Sequence, residues 1–258
     1  MYFDEILLSE KSKIRLNFFL KIEEIQCAIF LFFCREIKAN LFLDIGANVG
    51  FYSLLLKKYF PKINIVCFEP TPDTFIELIS NFQMNPKLDD SIIFHNAAVS
   101  SGLGFINLLN FGNCSGKNAL EFTSIHDPGQ AINKIEVPAL RIDDLLLNNM
   151  EKPFVSGANT VAIKIDTEGH EFEILRGGSL FLKENDCFLQ VEEGHKNSSN
   201  EMINFLLDLG YTRIYTAGPD SYFTNNKLLQ DPLIISKLVE EAINFILAHR
   251  WGKDCQLI

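Results

Sequence analysis

The stretch LFLDIGANVGFYS, Leu41 to Ser53, constrains the fold more than any other part of the chain. Leu41, Phe42 and Leu43 read as the end of a buried strand. Asp44 stands at its tip, and Gly46, Asn48 and Gly50 predict a tight turn into a helix that begins near Tyr52. Glycine suits a backbone that must take positive φ or come close to a ligand, and the helix start behind it presents unpaired N–H groups. Strand, glycine turn and helix together describe a nucleotide cradle. The carboxylate at the turn disfavours a pyrophosphate and suits a ligand carrying positive charge, such as an ammonium or a sulfonium.

Length and charge bound the rest. A chain of 258 residues that is 47% apolar can bury a large single core, so one α/β domain with extensions is expected rather than two full domains. Cysteines at 27, 34, 67, 114, 187 and 255 include no Cys-x-x-Cys pair, and Cys67 and Cys187 fall in apolar runs, as reduced core thiols do. A formal charge of −10 would repel a polyanion, which disfavours a nucleic-acid substrate and favours a small neutral or cationic one. The apolar run Ile25 to Cys34 contains Gln26 and is flanked by Glu24 and Arg35, too short and too polar for a membrane span. No signal-peptide pattern is read at Met1, so a cytoplasmic protein is expected.

Taken in order, Leu7 to Lys38 has helical apolar spacing at Ile14, Phe18, Ile22, Ile25, Ile29 and Phe33, which predicts one or two helices packed on the sheet. A lid over the substrate is another use of that face. Tyr52 to Tyr59 continues the cradle helix to Pro61, and Ile63 to Phe68 is a second strand with Glu69 at its tip. Glu69 follows the glycine turn by about twenty residues, the separation at which an acid reaches a ribose diol. It could instead cap the next helix, but Thr71 and Asp73 are available for that. After a helix from Phe75 to Met84, Ile92 to His95 is a third strand running into Asn96-Ala97-Ala98-Val99. Asn96 suits either an adenine edge or a local Asx turn, and His95 reads as a structural histidine.

Residues 100–139 change pattern. Phe105 to Leu109 and Lys134 to Ala139 read as an inserted hairpin whose loop carries Gly112, Asn113, Ser115, Gly116 and Asn118, placed over the strand tips as a specificity element. His126-Asp127-Pro128-Gly129 reads as a turn rather than a dyad. Arg141 to Asn149 predicts a short helix. Val161 to Ile165 is the next strand and opens into Asp166-Thr167-Glu168-Gly169-His170-Glu171. Acids at a helix start account for Glu168 and Glu171. Asp166, closing a buried apolar run, instead sits where a parallel sheet presents its ligands. Leu175-Arg176-Gly177-Gly178 ends the helix, and Phe188 to Val191 is a fifth strand ending in Glu192-Glu193-Gly194-His195. A helix from Glu201 to Leu209, a hairpin of Thr212 to Thr216 with Ser221 to Thr224, and a helix of roughly 234–249 complete the chain.

These residues carry a resemblance. LFLDIGANVGFYS at 41–53, FEP at 68–70, NAAVS at 96–100, LRIDDLL at 140–146, KIDTEGHEFEILRGG at 164–178 and QVEE at 190–193 together resemble the FkbM family of class I S-adenosylmethionine-dependent methyltransferases. The resemblance implies a Rossmann-like three-layer α/β fold with a seven-stranded, mostly parallel sheet of order 3-2-1-4-5-7-6. The chain is read as an N-terminal helical extension, 1–39, and a methyltransferase domain, 40–258, with the substrate-side insertion at 100–139 and a C-terminal helix at 233–250; the N-terminal helices, the insertion's tip and the C-terminal helix lie outside the resemblance. The resemblance also implies S-adenosylmethionine as cofactor, S-adenosylhomocysteine as product, and O-methylation of a sugar or natural product. Carried over, Asp44, Gly46, Asn48, Gly50 and Ser53 line the methionine end, Glu69 holds the ribose, and Asn96 and Ala97 border the adenine. Asp166 faces the methyl group or the acceptor. Thr167 and His170 depart from the family pattern.

The transfer is an in-line displacement, so the site must align nucleophile, methyl carbon and sulfur and take up the hydroxyl proton. Asp166, His170 and Glu192 are the candidate catalytic bases. A divalent metal on Asp166 and Glu192 is the other option, and no metal ligand is assigned. Two other classes stay open: an NAD(P)-dependent oxidoreductase, against which the missing Gly-x-Gly-x-x-Gly counts, and a cofactor-binding interaction module without turnover.

Overall fold

The computed structural model describes residues 6–88, 91–111, 119–120, 131–146, 160–193 and 196–254. Its centre is a seven-stranded sheet of β1 (Leu41–Ile45), β2 (Asn64–Phe68), β3 (Ile92–His95), β4 (Thr160–Ile165), β5 (Asp186–Glu192), β6 (Thr212–Ala217) and β7 (Asp220–Thr224). Numbered among themselves, the seven run 3-2-1-4-5-7-6, with β7 antiparallel to both neighbours and the rest parallel. Four strands of a second sheet intervene between β3 and β4, so a count through every strand of the chain numbers this sheet differently.

The central strands are buried end to end because both faces are covered, which is why they read as continuous apolar runs. Alternation divides each strand between two cores. Phe42, Ala162, Phe188 and Tyr222 face a layer made by α1 (Glu10–Glu36), α2 (Phe51–Tyr59) and α7 (Pro232–Asp254). Leu41, Leu43, Ile163, Leu189 and Phe223 face the opposite layer, which includes α4 (Glu171–Arg176), α5 (Ser179–Glu184) and α6 (Lys196–Asp208). The remaining helix, α3 (Pro72–Gln83), follows β2.

The N-terminal stretch is one helix, started by Ser9, whose side chain accepts from Ser12 N–H. Phe33 stacks on Phe188 at 5.2 Å between ring centroids, and Phe30 meets Phe42 at 5.4 Å. This helix is a sheet-covering layer. Cys27, Cys34, Cys67 and Cys187 are buried free thiols, and Cys114 and Cys255 lie outside the described residues. Among the described residues no helix is long and apolar enough to cross a membrane.

Three expectations need correcting. The hairpin of residues 104–110 and 133–140 is present, but Ala98–Val99 and Ala119–Leu120 join it to make a four-stranded sheet. The helix after Arg141 is a 3₁₀ segment, Ile142–Leu146, and 147–149 lie outside the described residues. Helix α5 was not foreseen, because the charge that starts it comes from elsewhere in the sequence. Asp143 accepts from Phe181 N–H at 2.9 Å and Leu180 N–H at 3.3 Å.

Candidate active site

The glycine turn opens from β1 in the conformation its sequence requires. Gly46, Asn48 and Gly50 all have positive φ, at 78°, 50° and 82°. What demands glycine is protein packing. A Cβ on Gly46 would lie 1.9 Å from the Asp166 carbonyl oxygen, and one on Gly50 would lie 2.4 Å from Leu78 Cδ1. The turn is pinned to its neighbour strand by Gly46 and Ala47 N–H groups that both donate to the Phe68 carbonyl. Within it Asp44 is 1% exposed, and Ser53 Oγ donates to its Oδ2 at 2.5 Å. Burial raises the Asp44 carboxyl above its ordinary value, although Lys164 and Ser53 pull the other way. Asn48 Oδ1 is buried and has no hydrogen-bond partner among the described residues, an acceptor suited to a donor from outside.

The second and third strand tips are tied to this turn. Glu69, 6% exposed, accepts from Asn48 N–H at 3.0 Å through Oε2 and from Thr71 N–H at 2.9 Å through Oε1. Thr71 makes no side-chain cap to α3, so Glu69 holds the turn ahead of that helix, contrary to the expectation that Thr71 would do so. Asn96 Nδ2 donates to the Glu69 and Pro70 carbonyls at 2.8 and 3.1 Å, so its amide nitrogen is committed and its Oδ1 is the end to consider for a base edge. Ala97 is buried beside it, and His95 stacks on Phe68 at 5.0 Å as a structural ring.

The fourth and fifth tips gather the chemistry. Register places Lys164 between Asp44 and Gln190, and Glu192 opposite Asp220. Alternation puts Asp44, Lys164, Asp166, Gln190, Glu192 and Asp220 on the sheet face that also carries Phe42, Ala162, Phe188 and Tyr222. Lys164 Nζ is 2.8 Å from Asp166 Oδ2, and Asp166 is hydrogen-bonded to Glu192. Burial opposes ionisation of Asp166, but the ammonium beside it and the bond to Glu192 outweigh that and hold its carboxyl below the ordinary range. Glu192 goes the other way: burial, then the charges of Asp166, Glu168, Glu171 and Asp220, push it well above. The same crowding, led by burial, raises Asp220 to about 7. The pair therefore reads as an ionised Asp166 accepting from a protonated Glu192.

Glu168 and Glu171 are not a solvated helix start. Glu171, 5% exposed, accepts from Thr167 N–H, Thr167 Oγ1 and Gly169 N–H at 3.0–3.1 Å, closing the loop on itself. The departure at Thr167 thus supplies a hydroxyl to this loop. Glu168 adopts φ 58° and comes within reach of the pair, with ligand oxygens of Asp166, Glu168 and Glu192 all within 4.8 Å of one another. That spacing would admit a cation, yet acidic groups commonly cluster so without one, and here Lys164 and a shared proton already offset charge.

The structure does not gather His170 with the other candidate bases. Its Nε2 lies 3.0 Å from Ser100 Oγ, it is 7% exposed, and burial lowers it to about 4, so it is neutral at physiological pH. It joins the 166–170 loop to the Ala98–Val99 strand. Gly177 does the same, since a Cβ there would lie 2.1 Å from the Ser100 carbonyl. Sequence reading missed Lys164, Gln190, Asp220 and the Tyr52 ring as members of the polar group. A lysine two residues before Asp166 in a buried strand was the available signal. Gly112, Asn113, Ser115, Gly116, Asn118, the 126–129 turn, and Gly194 and His195 lie outside the described residues.

Comparison with known proteins gives a consistent picture. The sequence model of the family described as "Methyltransferase FkbM domain" matches residues 44–213. The chain is 30% identical to methyltransferase sdnD of Sordaria araneosa, over 64% of this chain and 70% of that protein. It is 26% identical to hexuronic acid methyltransferase AglP of Haloferax volcanii, over 52% of this chain and 48% of that one. A solved FkbM methyltransferase from Methylobacillus flagellatus KT superposes with a TM-score of 0.49 at 16% identity, covering 72% of this chain. This chain spans only 43% of that structure's length.

Proposed function

Given that the chain belongs to the FkbM methyltransferase family, we propose that it transfers the methyl group of S-adenosylmethionine to a hydroxyl of a small molecule. The acceptor is of the sugar or natural-product class. S-adenosylmethionine supplies an electrophilic methyl carbon on a sulfonium. The residues present suit that group: a buried carboxylate at the cradle, an orphaned acceptor at Asn48 Oδ1, and a buried acid held against the cradle at the second tip.

In this reading Asp44, oriented by Ser53, receives the cationic methionine end, with Gly46, Asn48 and Gly50 shaping the wall. Glu69 accepts from the ribose hydroxyls, and Asn96 with Ala97 borders the adenine. Asp166, with Glu192 donating to it, takes the acceptor's proton, because an alcohol attacks poorly until its proton has somewhere to go. His170 is removed from that role to a structural one. Acceptor recognition is assigned to the 100–139 insertion, while α1 packs against the sheet.

The observation that carries this reading is Asp166, ion-paired with Lys164, one strand away from the buried Asp44. The test is transfer of labelled methyl from S-adenosylmethionine to hexuronic acids, neutral sugars and hydroxylated aromatics. Label on an acceptor oxygen supports the reading. Cofactor binding with no labelled product from any class would favour an interaction module, and label on nitrogen alone would overturn the hydroxyl assignment.

A further inference from the structure

A lysine inside a parallel sheet needs an explanation, because burial disfavours its charged form. Lys164 is 4% exposed. Its Nζ is held on one side by Asp166 Oδ2 at 2.8 Å and on another by the Tyr52 ring, 4.9 Å from the centroid. Tyr52 is itself fixed, since Gln190 Nε2 donates to its hydroxyl at 3.0 Å. The charged groups that face Asp166 are Lys164 from its own strand, Asp44 from β1, Glu192 from β5, Asp220 from β7 and Glu168 from the following loop. Among the described residues facing it, Lys164 is the cation.

We propose that Lys164 is a positioning residue for methyl transfer: clamped between Tyr52 and Asp166, it fixes the Asp166 carboxylate in place and ionised. Asp166, rather than its partner Glu192, is then the group that takes the acceptor's proton. This rests on the function proposed above. In the step it serves, the acceptor oxygen bonds to the methyl carbon and the carbon–sulfur bond breaks with its electron pair left on sulfur. The hydroxyl proton passes to Asp166 and from there to solvent. Without Lys164, burial and the surrounding acids would leave Asp166 protonated over part of the neutral range, and a protonated Asp166 accepts nothing.

The test uses the full chain saturated with S-adenosylhomocysteine and follows the ¹³C resonance of the Asp166 carboxyl with pH, assigned by its absence from Asp166→Asn. Wild type is expected to titrate below the ordinary carboxylate value, with Lys164→Arg close to it and Lys164→Met clearly raised. Methyl transfer to an acceptor found by the labelling assay should recover in Lys164→Met as pH rises from 6 to 9. A merely structural lysine would lower transfer by the same factor at every pH. An unshifted titration in Lys164→Met, or a wild-type Asp166 still protonated at pH 6, overturns the role of Lys164; the second result needs no variant to fold. An Asp166→Asn protein that still transfers methyl overturns the underlying base assignment instead, so the two failures are distinguishable.

Discussion

A Cβ on Gly46 would meet the Asp166 carbonyl at 1.9 Å, and the φ of 78° there is one that L residues seldom adopt. Glycine at this position joins the first strand tip to the fourth and so brings Asp44 and Asp166 to one crevice. Gly46→Ala is expected to destabilise the protein by about 2 kcal/mol or more and to weaken S-adenosylhomocysteine binding in parallel, measured by denaturant melts and calorimetry. Asp166→Ala should behave differently. Transfer falls at least about a hundredfold while S-adenosylhomocysteine affinity stays within about tenfold, and an active variant would remove Asp166 from the reaction. Much of this was legible from residue type alone: Asp44, Glu69 and Asp166 stand at the tips where alternation and turn chemistry put them. Lys164 was not, because the partners of a lysine in the buried run Val-Ala-Ile-Lys-Ile are set by register, which places it between Asp44 and Gln190. Glu168 was misread because the left-handed turn that redirects it depends on three bonds to Glu171, which no spacing rule reveals.

Elements here are started and stopped by distant partners. The Asp143 carboxylate accepts from two N–H groups at the start of α5, more than thirty residues away, and its own N–H donates to the Gly177 carbonyl. The LRIDDLL run is therefore a brace for α5 and not part of the site. Asp143→Ala is expected to cost about 1–2 kcal/mol, seen as a lower denaturation midpoint with unchanged S-adenosylhomocysteine affinity. Strands were the most legible elements, since both-face burial leaves an apolar run bounded by glycine and proline. Helix α5 was not, because its initiating charge is remote, and the inserted hairpin hid a second sheet because two-residue strands leave no periodic trace.

The whole molecule is a sheet between two helical layers, and the N-terminal helix is an integral part of one of them. Phe30 and Phe33 pack on Phe42, Phe188 and Tyr222, so removing residues 1–39 should leave a chain that fails to fold, as read by circular dichroism and gel filtration. The acidic crevice also sets a pH dependence. Asp220 titrates at about 7 in the folded chain, above the ordinary carboxylate value. A raised acid stays protonated in the fold while the unfolded chain ionises, so the contribution of Asp220 to stability is present at about pH 4 and below and is lost as pH rises to about 7. Asp220→Asn should raise the Tm by roughly 3 °C or more at pH 8 and leave it unchanged at pH 4. The cradle was readable from its glycine placement, whereas the sheet order came with the family resemblance and not from alternation. The face-wide polar group was not, because it is assembled by register across four strands.

The central claim is that the crevice above Asp44 and Asp166 holds the methyl donor, and calorimetric titration with S-adenosylhomocysteine and with NAD tests it most directly. The account predicts saturable binding of S-adenosylhomocysteine at one site, lost in Asp44→Ala, and no binding of NAD. Binding of NAD, or S-adenosylhomocysteine affinity unaffected by Asp44→Ala, would contradict it.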